Sequence, residues 1–189
     1  MPHKFDPAHM DALVSRQREL DVDVHRIISR IPISTHDVVA DLGCGPGFFT
    51  VPLGTIVFNG KVHALDIQQE MLDATQERLK GARLTNVETA LAKEDSIPLE
   101  DDSVDGVFAA FMVHEADDPK NLMGECFRTL KRRGWLVLLE WQKREMEDGP
   151  PLDDRIDQQD LRSLALKAGF RETPSHGLND KHYMLVMYK

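Results

Sequence analysis

Residues 36–50, HDVVADLGCGPGFFT, constrain this chain more than any other stretch. Val38, Val39 and Ala40 form a short apolar run, Asp41 and Leu42 follow, and glycines then stand at Gly43, Gly45 and Gly47. Such a run, ending in glycines and opening into a helical pattern, reads as a buried strand, a tight turn and a helix. Glycine reaches backbone angles closed to other residues and lets a ligand lie against the main chain. The helix beyond offers unpaired N–H groups and the positive end of its dipole. The turn is therefore a ligand cradle.

The rest of the chain repeats the alternation. Apolar runs at 61–66, 86–91, 104–111 and 135–140 read as further strands. Helical patterns occupy about 47–57, 69–80, 118–133 and 157–168. Pro52 is expected to weaken the first of these helices, Gly81 to cap the second, and Gly134 to release the third into a strand. Residues 170–173 and 182–188 read as two closing strands around a turn at Gly177 and Asn179-Asp180. Strands alternating with helices call for a parallel sheet with right-handed crossovers, whereas a strand pair joined without a helix is antiparallel. The expected fold is α/β: a doubly wound, seven-stranded, mostly parallel sheet with an antiparallel C-terminal hairpin and helices on both faces. Ahead of it, residues 6–31 carry apolar side chains at helical spacing and read as one or two helices ended by Pro32. Residues 1–33 thus form an N-terminal helical cap on a 34–189 domain, in one structural unit, with Phe5 and His9 as candidate pocket residues.

Composition narrows the partners. At 189 residues one domain suffices, and the net charge of −9 argues against nucleic acid as substrate. The one dense basic cluster, Lys131-Arg132-Arg133, falls at an expected helix end, where cations favour the dipole. No run of about 18 apolar residues exists to span a membrane, and the opening residues lack a signal-peptide core. Two cysteines, Cys44 and Cys126, make no disulfide framework, so a reducing cytoplasm is expected. No His/Cys/Asp array has metal-ligand spacing, so no metal is expected.

The glycine spacing decides the ligand. A dinucleotide fingerprint, G-x-G-x-x-G, would require glycine where Phe48 stands. The sequence Asp41-Leu42-Gly43-Cys44-Gly45-Pro46-Gly47 instead resembles motif I of the class I S-adenosylmethionine-dependent methyltransferases. Asp66, nineteen residues past Gly47, ends the apolar run 62–65, where an acid takes both hydroxyls of a bound ribose. The resemblance covers residues 36–189 and is closest to the small-molecule branch of quinone-biosynthesis and arsenite enzymes. It implies that Asp41 orients the methionine ammonium and that Gly43, Cys44, Gly45 and Gly47 line the methionine and ribose. It further implies that Asp66 binds the ribose, that Ile67 and Met71 pack on the adenosine, and that Phe111 borders the cofactor. Lys93 occupies one common position of the adenine-reading acid, leaving Glu94 or Asp95 for that contact.

Methyl transfer is an in-line displacement that needs alignment more than acid–base groups. A base serves only where the acceptor carries a proton. His114, after the fourth strand, is the candidate for that role, and Glu140 and Trp141, ending the fifth, are candidates to hold and stack a substrate. The expected partner is a small-molecule acceptor, with S-adenosylhomocysteine as product, and a homodimer is admitted. Two other readings are a non-catalytic S-adenosylmethionine-binding module and, disfavoured by Phe48 and Asp41, a nucleotide-dependent oxidoreductase.

Overall fold

The computed structural model describes residues 4–173 and 178–189; Gly177 of the expected closing turn lies outside them. At the centre of the sheet, β1 (Val38–Leu42) is flanked by β2 (Lys61–Asp66) and β4 (Val104–Ala110), both parallel to it. Outward in the same sense lie β3 (Val87–Leu91) beside β2 and β5 (Leu130–Trp141) beside β4. Against β5 runs the antiparallel β7 (His182–Tyr188), with the two-residue β6 (Arg171–Glu172) antiparallel at its edge. The strand order is therefore β3-β2-β1-β4-β5-β7-β6, and the chain reverses direction across the sheet between β1 and β4. In open α/β sheets ligands bind beyond the carboxyl ends of the strands at such a switch point.

Alternation along each strand divides the core between two faces. Ala40, Val107 and Leu138 face α5 (Pro119–Thr129) and α6 (Gln158–Ala168), which contribute Met123, Cys126, Leu161 and Ala165. Val39, Val62, Phe108 and Val137 face the other way, against Leu53 of α3 (Thr50–Ile56) and Ile27 of the N-terminal segment. That segment is three short pieces rather than one or two helices: a 3-10 turn (Pro7–Val14), α1 (Arg16–Asp21) and α2 (Val24–Ile28). Ser15 accepts the Arg18 N–H and Asp23 the Arg26 N–H, so each side chain caps a new helix and divides the segment further than expected.

Three expectations are corrected. Pro52 does not disturb α3, because the helix starts at Thr50 and leaves Pro52 in the first turn, where the N–H groups lack helical partners anyway. Gly81 does not cap α4 (Gln69–Ala82); Arg83 does, at φ +57°, because Leu84 folds back to donate to the Leu79 carbonyl and pack near Gly54. The basic cluster is not at a helix end: α5 stops at Thr129, and Lys131, Arg132 and Arg133 lie in β5. The β4–β5 register shifts between Val104 and Gly106, and Lys131 spends its ammonium on both Asp105 oxygens at 2.9 Å.

Gly106 shows how tightly the centre is closed. It pairs with Trp135 across the β4–β5 ladder, and a Cβ built on it would stand 2.1 Å from the indole ring. Gly106→Ala is expected to lower stability by about 1–3 kcal/mol through overpacking, read as a fall in the urea midpoint at unchanged slope.

Candidate functional site

The glycine turn is tied to β2 by a carboxylate. Gly45 N–H donates to Asp66 Oδ2 at 2.9 Å, Gln68 N–H donates to Asp66 Oδ1 at 3.0 Å, and Cys44 N–H reaches the Leu65 carbonyl. Gly43 has φ +61°, and a Cβ there would strike Met112 at 2.7 Å. A Cβ on Gly45, φ +53°, would instead meet only Leu13 Cδ1, at an ordinary contact distance of 3.8 Å, on the cavity side of the turn. One glycine is demanded by packing and the other keeps the cradle clear. Asp66 is 8% exposed, and burial raises its pKa although the N–H groups of Gln68 and Gly45 oppose the rise. A carboxylate has about four lone-pair sites, so acceptor capacity remains for a ligand hydroxyl.

Asp41 lies one step behind. It is fully buried, accepts the Thr50 hydroxyl at 2.6 Å, and burial, with a smaller push from Asp66, brings its pKa up to about 7.

In front of the turn is a cavity of about 570 Å³, with Gly43, Cys44, Gly45, Asp66, Ile67, Met71, Glu94, Phe111, His114 and Trp141 in its wall. Asp41, Gly47, Asp95 and Glu140 are not in the wall. The main-chain carbonyl of Asp95 accepts the Asn121 side-chain amide. The N-terminal segment forms one side of the cavity and brings Phe5 and His9 to the wall. Lys4 pairs with Glu94 at 2.7 Å, Phe5 N–H donates to Glu115 Oε2 at 3.1 Å, and Gln68 Nε2 donates to the Phe5 carbonyl at 3.0 Å.

The far wall is built by a strained residue. Phe111 leaves β4 at φ +57°, which costs a bulky side chain on the order of 1 kcal/mol, and its N–H is held by the Leu139 carbonyl at 2.7 Å. The bend sets Met112 over Gly43 and opens a 3-10 turn, Val113–Glu115, whose N–H groups at Val113 and His114 both donate to Glu140 Oε1. Glu140 Oε2 receives His114 Nδ1 at 2.8 Å and the Trp141 N–H at 3.3 Å. Glu140 is therefore committed to His114 and the turn, not to a substrate, as its place behind the wall also says. The carboxylate draws the ring proton to Nδ1 and leaves the Nε2 lone pair free in the neutral ring, 3.8 Å from Glu115 Oε1. Burial alone would lower the His114 pKa, but the charge and hydrogen bond of Glu140, with Glu115 and Asp154 behind them, raise it above the ordinary value.

Several wall residues were not among the candidates: Arg18 lies in the expected helical cap, Phe49 in the helix after the glycine turn, Gln68 in a connection, and Glu115 beside His114. Phe48 was visible only as the residue that broke the dinucleotide register.

A family model described as a methyltransferase domain matches residues 40–138. The chain belongs to that family, the class I methyltransferases. It is 29% identical to a SAM-dependent methyltransferase from Aquifex aeolicus over 98% of this chain and 99% of that one, with a TM-score of 0.93. Among curated methyltransferases it is 30% identical to a ubiquinone/menaquinone biosynthesis C-methyltransferase, UbiE, of a Marinomonas species, over 66% of this chain and 52% of the relative. A malonyl-[acyl-carrier protein] O-methyltransferase of the same organism is 33% identical over 61% of this chain and 42% of its own length. The chain spans about half the length of these two methyltransferases. Among the described residues no helix is long and apolar enough to cross a membrane, and no group of three or more His, Cys, Asp or Glu is placed to hold a metal ion.

Proposed function

We propose that this protein is an enzyme that moves the methyl group of S-adenosylmethionine to a small acceptor bearing an exchangeable proton, in the cytoplasm. The observation that carries the reading is the Asp66–Gly45 bond: a carboxylate with spare lone pairs, fixed 2.9 Å from the backbone of a glycine turn, in the wall of a cavity that His114 also lines. The residues present fit the group. Gly45 keeps the cradle open, Asp66 offers acceptors to ribose hydroxyls, and Ile67 and Met71 give apolar cover to a purine. When bound, the cofactor supplies an activated methyl on a sulfonium. The chain supplies alignment, shelter and a proton acceptor. Phe48, Phe111, Met112 and Trp141 give the cavity an apolar lining, and the N-terminal segment shelters one side of it. His114 takes the acceptor's proton at Nε2 while Glu140 stabilises the imidazolium at Nδ1. The names of the relatives support a small acceptor, and this dyad supports catalysis over passive binding.

Titration calorimetry with S-adenosylhomocysteine tests the reading. Wild-type protein is expected to bind it, and Asp66→Ala is expected to lose about 1.5–3 kcal/mol, the worth of a charge-assisted contact. Full affinity in the variant, or no binding by the wild type, overturns it.

A further inference from the structure

Arg18 stands on the cavity wall with its chemistry incomplete. Its guanidinium carbon lies 4.9 Å from the centre of the Phe111 ring and 5.3 Å from that of Phe48. Its Nε is buried and donates to nothing, and its side chain forms no ion pair among the described residues. The contrast with Arg155 is direct. That arginine, set against Trp141, spends its donors on the carbonyls of Pro150, Gln142, Arg144 and Asp148. Arg128 is likewise filled by Glu125, Asp101 and two carbonyls.

A half-buried guanidinium whose Nε is sealed off without a partner is costly, and aromatic faces return only part of that cost. Burial pulls the Arg18 pKa down to about 10, which still leaves it charged at neutral pH. The two rings hold the guanidinium on the cavity wall, and a planar fork of N–H groups matches a carboxylate in a way an ammonium does not. The place is as telling as the charge. Phe48 directly follows Gly47, and Phe111 precedes Met112, which lies over Gly43, so Arg18 sits beside the glycine turn.

We propose that Arg18 is a carboxylate-binding residue: laid on Phe48 and Phe111 beside the glycine turn, its guanidinium takes the carboxylate of a bound ligand. The inference rests on the cofactor reading above, and it admits two sources for the carboxylate. One is the amino-acid end of the cofactor, the other an acid group on the acceptor.

Three probes separate them: S-adenosylhomocysteine, 5′-methylthioadenosine, which has the same adenosyl thioether but no amino-acid end, and benzoate, a planar aromatic acid. Affinities are measured by calorimetry for wild type, Arg18→Gln and Arg18→Lys, with thermal melts to show that each variant folds. If the cofactor is the source, Arg18→Gln weakens S-adenosylhomocysteine about ten- to a hundredfold and leaves 5′-methylthioadenosine unchanged, with Arg18→Lys between. If the acceptor is the source, both adenosyl ligands bind the variant normally. Benzoate then binds wild type saturated with S-adenosylhomocysteine and fails to bind Arg18→Gln. Indifference of all three ligands overturns the proposal, as does an equal loss for both adenosyl ligands, which would make Arg18 a wall of the cavity only. Should wild type bind no adenosyl ligand, the cofactor reading falls, and benzoate binding to the free protein, lost or kept in Arg18→Gln, still decides the role of Arg18.

Discussion

Replacing His114 with alanine is expected to cut kcat by about a hundredfold or more while S-adenosylhomocysteine binds as before, because a positioned general base contributes on the order of 10²–10⁴. The geometry gives the expectation its form. With Nδ1 bound to Glu140 at 2.8 Å, only Nε2 is left to take a proton, and the neutral ring alone can do so. The raised pKa of His114 sets the sign: below it the ring is an imidazolium and idle, so kcat rises with pH through a value above 6.5. Glu140→Gln removes the charge that holds the ring protonated, so the acid limb moves to lower pH even as the plateau rate falls. S-adenosylhomocysteine formation, followed across pH with an acceptor from a panel of phenols, amines and acids, reads both effects. The ring titration by NMR reads the shift without turnover. A limb that stays put in Glu140→Gln would leave His114 with a packing role only.

That dyad also shows where the sequence stops being legible. His114 and Glu140 each stand out at a strand end, but their pairing depends on the β4–β5 register, which sets Ala110 beside Leu139 and so brings the residues beyond into reach. Register is a tertiary fact, and the notion that Glu140 holds a substrate fails because the Phe111 bend consumes its oxygens. The glycine turn and Asp66 were legible because local chemistry specifies them: glycines where φ turns positive, an acid where a buried strand ends. The mostly parallel sheet with antiparallel C-terminal strands followed from the same alternation. Arg18 was not legible, since an arginine in a short polar helix reads as solvated until the fold lays it on Phe48 and Phe111. The boundary at Leu130 was lost for a related reason. A helix pattern running into a basic cluster hides a strand that begins five residues early to meet Val104.

Asp41→Asn is expected to stabilise the free protein at pH 8, by up to about 4 kcal/mol, while weakening its hold on the cofactor. Burial brings the Asp41 pKa from 3.8 up to about 7, so the native state binds a proton that the unfolded chain releases. Stability is therefore greatest below the unfolded value and falls as pH rises from about 4 to about 7. Asparagine keeps an oxygen for the Thr50 hydroxyl and carries no charge, which removes that slope. The His114 shift slopes in the same direction, so the informative quantity is the difference between wild type and variant, taken from urea midpoints at several pH values. It should be near zero at pH 4 and widen to its full extent by pH 8. A positively charged ligand group near Asp41 favours the ionised form. Wild type should then bind S-adenosylhomocysteine more tightly as pH climbs towards 7, with proton release, and Asp41→Asn should lose that dependence. A carboxylate that costs the empty fold stability and is returned to charge by its ligand belongs to binding, not to folding. A variant less stable than wild type at pH 8 would reverse that assignment.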